Sequence, residues 1–220
     1  SSLFEDSLSQ PFSGIFGTHL LPNNHTAPEI RLTQLCTAIK LVFASVYSPE
    51  SRTYFEAINY KVEQEKMAVV IQTTVGNRYG DVYYPHISGT AQSYNFYPVA
   101  HMSPADGFAV MAVGLGQYVL DGERAFRFSP SFPNLDIVPI MDISRYSQVE
   151  FYAINMANSD IDLLNGQKAG LVKLNINQAE LDGTLQHCAS VLSIDDDTLT
   201  PGLYADGPRV INFANILKYD

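Results

Sequence analysis

The sequence predicts an α+β fold, mixed α/β, with helices packed on mostly antiparallel sheet. Three observations predict it. Apolar residues recur at helical spacing in one N-terminal stretch, residues 27–47. Short β-branched and apolar runs, parted by Gly-containing turns, follow through the rest of the chain. Hydrophobic residues make up 46% of the 220 and charged residues 16%, enough apolar material for a core and too little charge for a disordered chain.

Residues 1–25 are rich in Ser, Gly, Pro and Asn and read as loop around a short extended piece. Thr26-Ala27-Pro28-Glu29 has the form of a capping box, in which Thr26 accepts from a first-turn amide and Glu29 reaches back. Behind it Ile30, Leu35, Ile39, Val42 and Val46 mark the buried stripe of a helix. Ser48-Pro49 starts a second helix to about Asn59, since proline is tolerated in a first turn. Residues 67–75, Met-Ala-Val-Val-Ile-Gln-Thr-Thr-Val, carry the signature of a central strand. After a turn at 76–80, strands are expected at 81–86 and 87–97, broken near Gly89. Residues 108–113 form a buried strand ending in Gly114-Leu115-Gly116, and 124–128 alternate like an exposed one. Val69, Ile71, Val110 and Ala112 are expected to be buried on neighbouring strands. The second half offers strands at 149–156, 170–176 and 185–193, and residues 213–219 begin a helix.

Charge narrows the function. There are 13 Lys+Arg against 23 Asp+Glu, a net charge of −10, which argues against a general electrostatic grip on nucleic acid or anionic membrane. No uninterrupted apolar run approaches the roughly 20 residues that span a bilayer. Residues 1–128 have a net charge of −3 and residues 129–207 a net charge of −8. With prolines at 130, 133 and 139, this shift divides residues 1–130 from an acidic, β-rich continuation at 131–220. Cys36 and Cys188 have no metal or CxxC spacing and fit a reducing compartment, the cytoplasm. Ser1-Ser2-Leu3-Phe4-Glu5-Asp6 lacks a signal peptide's pattern and reads as a cut inside a longer protein.

Histidines 19, 25, 86, 101 and 187 show no HxH, HxxxH or HExxH spacing, so zinc catalysis has no support. GxSxG, GxGxxG and GxxxxGK[ST] are absent. Asp195-Asp196-Asp197 lacks the alternating ligands of a calcium loop and reads as a solvated turn. One segment remains: Gln10-Pro11-Phe12-Ser13-Gly14-Ile15-Phe16-Gly17-Thr18. Gly14 and Gly17 let backbone amides approach an anion, and the Ser13 and Thr18 hydroxyls add donors. By itself the segment reads first as a surface loop, and only second as a phosphate loop.

The order of motifs favours the second reading. Glu5-Asp6, Phe12-Ser13-Gly14 with Thr18, Val69–Gln72, Ser88-Gly89-Thr90-Ala91, and Gly114-Leu115-Gly116-Gln117 followed by Leu120-Asp121-Gly122 stand in sequence. Together they resemble the nucleotide-binding domain of the phosphoenolpyruvate synthase and pyruvate phosphate dikinase family, over residues 1 to about 130. The resemblance implies part of an ATP-grasp domain, which clamps ATP and phosphorylates a histidine on a separate domain. From there the group passes to pyruvate at a third domain. Implied ATP-binding residues are Ser13, Gly14 and Thr18 at the phosphates, Gln72 at the adenine side, and Gly114, Gly116 and Gln117. No catalytic residue is implied within the chain. The family's Lys, its Arg before Ser-Ser, its Mg²⁺-holding carboxylate and its Gln-x-Arg strand all fall outside residues 1–220. The chain by itself is thus expected to bind ATP weakly or not at all and to be inactive. Gln117 stands where the family has Glu, which keeps open a non-catalytic regulatory or interaction module that retains the fold.

Overall fold

The computed structural model describes residues 14–135 and 138–218. The chain forms two compact units, Ser1–Val75 with Ile154–Val172, and Gly76–Ala153 with Lys173–Asp220.

In the first unit, helix α1 runs Pro28–Ala44, a 3₁₀ turn covers Ser45–Tyr47, and α2 runs Pro49–Ala57. The expected capping box does not form. Pro28 takes the first helical position and Ala27 the cap, so Thr26 lies one residue too early and the Ala27 N–H donates to His25 Nδ1 instead. Of the expected stripe, Val46 is buried, Leu35, Ile39 and Val42 are half-buried, and Ile30 is exposed. Gln34 and Ala38 are the buried residues of α1, while Ile30, Leu32 and Phe43 are exposed. Gln34 is buried because its Nε2 donates to the Ser159 carbonyl at 2.8 Å, satisfying a polar group that burial would otherwise penalise. The second start forms as expected: the Ser48 hydroxyl accepts from the Ser51 N–H at 3.2 Å ahead of Pro49. Phe16, Val46 and Phe55 make the core here, with Ile15, Tyr54, Ile58, Tyr60, Val62 and Met67 packed on it.

Pro28–Ala57 matches a bilayer-crossing helix by length and apolar composition. Its helix is nevertheless interrupted at Ser48, whose backbone is extended. α1 by itself is about 25 Å long, short of a hydrocarbon core of roughly 30 Å.

The expected central strand at 67–75 is absent. Met67 makes an isolated bridge, no strand follows it, and Val70 and Ile71 are 58% and 63% exposed. A β-branched run supplies strand propensity, but not the neighbouring backbone that closes a ladder. Val69 is half-buried.

The strands are β1 (Asn77–Tyr79), β2 (Val82–Tyr84), β3 (Ser88–Gln92), β4 (Phe108–Ala112), β5 (Phe126–Phe128), β6 (Glu150–Asn155), β7 (Leu171–Asn175), β8 (Ala189–Ser193), β9 (Thr198–Pro201) and β10 (Arg209–Ile211). Among the described residues they form three sheets, ordered β1-β2-β6-β7, β3-β4-β5 and β10-β8-β9. β3–β4, β4–β5, β1–β2, β8–β9 and β8–β10 pair antiparallel, with Ser88 opposite Ala112 and Val110 opposite both Thr90 and Arg127. Ala112 is buried and Val110 half-buried. Four further, short α-helices lie among the described residues: α3 (Gln117–Leu120), α4 (Ile140–Tyr146), α5 (Ile176–Leu181) and α6 (Ala214–Leu217).

β6 buries Phe151, Tyr152, Ala153 and Ile154 in succession, so both its faces are covered. The Tyr84 ring packs 4.7 Å from Phe151, and its hydroxyl donates to Asp182 Oδ2 at 2.6 Å. Burial first, and that hydrogen bond second, raise the phenol's pKa well above its usual value. On the neighbouring face Arg209 grips Glu180 with two nitrogens, Nη2 to Oε1 at 2.7 Å and Nε to Oε2 at 3.1 Å.

Tyr84→Phe keeps the rings packed and removes a donor to a carboxylate, so urea unfolding should show a loss of about 2 kcal/mol. An unchanged midpoint would mean that water serves Asp182 equally well. The Arg209 hydrogen bonds hold the Glu180 carboxyl below its ordinary 4.5, with partial burial opposing. That contribution is complete above the unfolded carboxyl pKa and disappears as pH falls through the lower folded value. Glu180→Gln should therefore be less stable than the parent at pH 7, and the gap should close on acidification below pH 4.5. A gap that stays constant with pH would count against the pair.

Candidate functional site

The expected site residues include two glycine segments, which lie in different units and are described one at a time. In the first unit, Gly14–Phe16 form a bend and no helix, and Gly14 has φ +91°, a conformation that favours glycine. Phe16 is the anchor, inserted between Val46 and Phe55. Behind it the Gly17 N–H donates to Ser45 Oγ at 2.8 Å, and a Cβ on Gly17 would stand 3.4 Å from the Ser45 side chain. The Thr18 N–H donates to Gln167 Oε1 at 3.1 Å. Gly14 and Thr18 are exposed on either side of the buried Phe16-Gly17 pair. His19, next along, is half-buried with its Nδ1 unpartnered, and burial lowers its pKa. Ser13 lies outside the described residues. Gln72 is exposed on the irregular stretch after Met67, not at the end of a strand.

In the second unit, β4 runs into Gly114-Leu115-Gly116 and then α3. Gln148, buried, binds the strand end twice. The Val113 N–H donates to Gln148 Oε1 at 2.8 Å, and Gln148 Nε2 donates back to the Val113 carbonyl at 3.0 Å. Gly114 has φ +83°, and a Cβ there would meet Phe151 Cδ2 at 2.6 Å and the Tyr152 carbonyl at 2.8 Å. The Leu115 N–H donates to that same carbonyl at 2.9 Å. Gly116 faces the Ser88 side chain, whose Oγ would be 3.9 Å from an added Cβ. That hydroxyl is sealed from solvent and makes no hydrogen bond. The Ser88-Gly89 and Gly114–Gln117 motifs are thus brought together by the β3–β4 pairing. Gln117 is half-exposed, its Nε2 donating to Asp121 Oδ1 at 2.8 Å.

Lys173 lies beside this turn. Its Nζ is 2.8 Å from Glu123 Oε1 and 3.1 Å from Glu150 Oε2, and sits 5.9 Å and 5.6 Å from the Tyr118 and Tyr152 ring centres. Those two hydrogen bonds raise the lysine's pKa. Burial, then the Glu123 charge, raises that of Tyr118. Gln148, Glu150 and Lys173 escape the sequence reading, because no motif marks them. The one available signal was a lysine in a half where basic residues are few and acidic ones many.

Among the described residues no three His, Cys, Asp or Glu side chains gather to hold a metal ion, and Glu123 and Glu150 are already neutralised in part by Lys173. The described residues do not fit a Mg²⁺ site.

Gly114→Ala forces a Cβ into Phe151 at an unfavourable φ, and thermal or urea unfolding should show a loss of about 3 kcal/mol. Gly122→Ala, at φ +71° with nothing within 4 Å of its added Cβ, is the control. It should cost only about 1 kcal/mol, the backbone strain alone. Equal losses would show that contact with β6 is not what demands glycine at 114.

The family model described as pyruvate phosphate dikinase, AMP/ATP-binding domain, matches residues 1–132, more than half of the chain. No curated protein and no solved structure matches. The matched span holds the Gly14–Thr18 loop, Gln72 and the Gly114–Gln117 turn, and ends before Gln148, Glu150 and Lys173. With both glycine segments in place within it, the chain belongs to the AMP/ATP-binding domain family of pyruvate phosphate dikinase.

Proposed function

We propose that this chain is the nucleotide-binding part of a phosphoenolpyruvate-synthase-like dikinase, which passes a phosphoryl group from ATP to a histidine on a separate domain and onward to pyruvate. The observation that carries the reading is the build of the two glycine segments. Each is fixed from behind by buried side chains, Phe16 in one and the Gln148–Phe151 stretch in the other. Each keeps an accessible face, at Gly14 and Thr18 and at Gln117.

Within this reading the Gly14 amide and the Thr18 hydroxyl donate to phosphate oxygens, and the Gln72 amide meets the adenine edge. Gly116 lets a ligand come close to backbone. None of these groups moves a proton; their part is to orient the nucleotide. Mg²⁺, when bound, would neutralise phosphate charge. Its ligands are assigned to other parts of the protein, as are the histidine and pyruvate sites. Two unpaired cysteines, Cys36 exposed and Cys188 buried with its thiol pushed up to about 12, support a cytoplasmic setting.

A second reading, a regulatory or interaction module without catalysis, draws on Gln117. It brings no charge to the turn, and its amide is occupied by Asp121. A phosphoryl-exchange assay on the whole protein separates the two, since only the dikinase exchanges label between ATP and its other substrates.

Titrating ATP into the 220-residue chain while following amide NMR shifts tests the binding itself. Saturable shifts are expected at Gly14, Thr18, Gly114, Gly116 and Gln117, with a dissociation constant of about 1 mM, because few charge-assisted contacts are present. Unmoved amides at tenfold that concentration would refute nucleotide binding by these residues.

A further inference from the structure

Lys173 and Glu150 lie outside the family match, yet with Glu123 they form an ion cluster against the Gly114–Gly122 segment. Both carboxylates reach the same ammonium, so their oxygens stand no more than about 6 Å apart, close enough to repel strongly without it. Lys173 also sits over Tyr118, the buried residue that follows the Gly-Leu-Gly-Gln motif, and over Tyr152, whose carbonyl accepts from Leu115. Asp121 is held at the same segment by Gln117. The surroundings are therefore acidic, and the lysine holds the cluster at a formal charge of −1.

We propose that Lys173 is a positioning residue for nucleotide binding: by pairing Glu123 and Glu150 together it keeps two bare carboxylates from repelling the ligand's phosphates. This rests on the nucleotide-binding reading above. Without the lysine, the cluster carries −2, and an anionic ligand meets one further negative charge. A neutral ligand does not feel that difference.

The test compares ATP with adenosine, titrated into the wild-type chain, Lys173→Met, Lys173→Arg and the triple variant Lys173→Met/Glu123→Gln/Glu150→Gln, with Gly114, Gly116 and Gln117 amide shifts as readout. At low ionic strength Lys173→Met should weaken ATP binding about fivefold, and the effect should shrink in 0.5 M salt, roughly where the screening length falls below 5 Å. Adenosine affinity should stay the same, and both Lys173→Arg and the triple variant should restore ATP affinity. ATP binding in Lys173→Met equal to wild type would overturn the proposal. So would an equal loss for adenosine that the triple variant fails to restore, which is the mark of packing alone. If Lys173→Met does not fold, Glu123→Gln/Glu150→Gln must bind ATP more tightly than wild type, and no tightening overturns the proposal. A wild-type chain that shifts with no nucleotide sinks the binding reading itself, whereas wild-type binding with an indifferent Lys173→Met sinks the lysine's role alone.

Discussion

The second unit depends on one side chain, Gln148. Its amide takes both the N–H and the carbonyl of Val113 and donates once more to the Glu150 carbonyl at 2.9 Å. β4 ends at Ala112, so Val113 has left the ladder, and Gln148 gives its backbone the partners a strand would have given. The buried amide is satisfied at both ends. That fixes where Gly114 begins to turn, and the turn is then pressed against Phe151 and Tyr152 with no room for a Cβ. An apolar residue at 148 would leave two backbone groups buried and unpaired.

How much of this is legible in the sequence follows from what each signal depends on. β4, β6 and β7 are legible because their apolar runs are bounded by glycine or acidic turns, and each finds neighbours. α2 is legible because Ser48-Pro49 is a local signal that forms its own hydrogen bond. Residues 67–75 mislead because propensity is local and pairing is not. The α1 stripe is legible except for Ile30, but not the burial of Gln34, which depends on a hydrogen bond to a carbonyl 125 positions away. α4 and α5 are short, and lie where prolines and acidic residues read as loop.

The site divides in the same way. The glycine motifs can be read because close backbone approach excludes a Cβ, and that constraint is written into residue type. Their supports cannot be read, since Ser45, Gln167, Gln148 and Lys173 act through contacts made across long separations. Ser45 shows how local chemistry and distant contact combine. Its hydroxyl donates to Val42 at the end of α1 and accepts from Gly17, so one side chain ends a helix and seats the loop.

The irregular stretch after Met67 has a consequence for handling the protein. Val70, Ile71 and Val75 present β-branched side chains to water, and from 67 to 75 there is no charge, proline or glycine. That composition templates intermolecular strand pairing and cross-β stacking. Lys66 stands at its edge as a charged gatekeeper, with Gly76 closing the other end. At high concentration the exposed side chains of this stretch are therefore composed for association between copies of the chain.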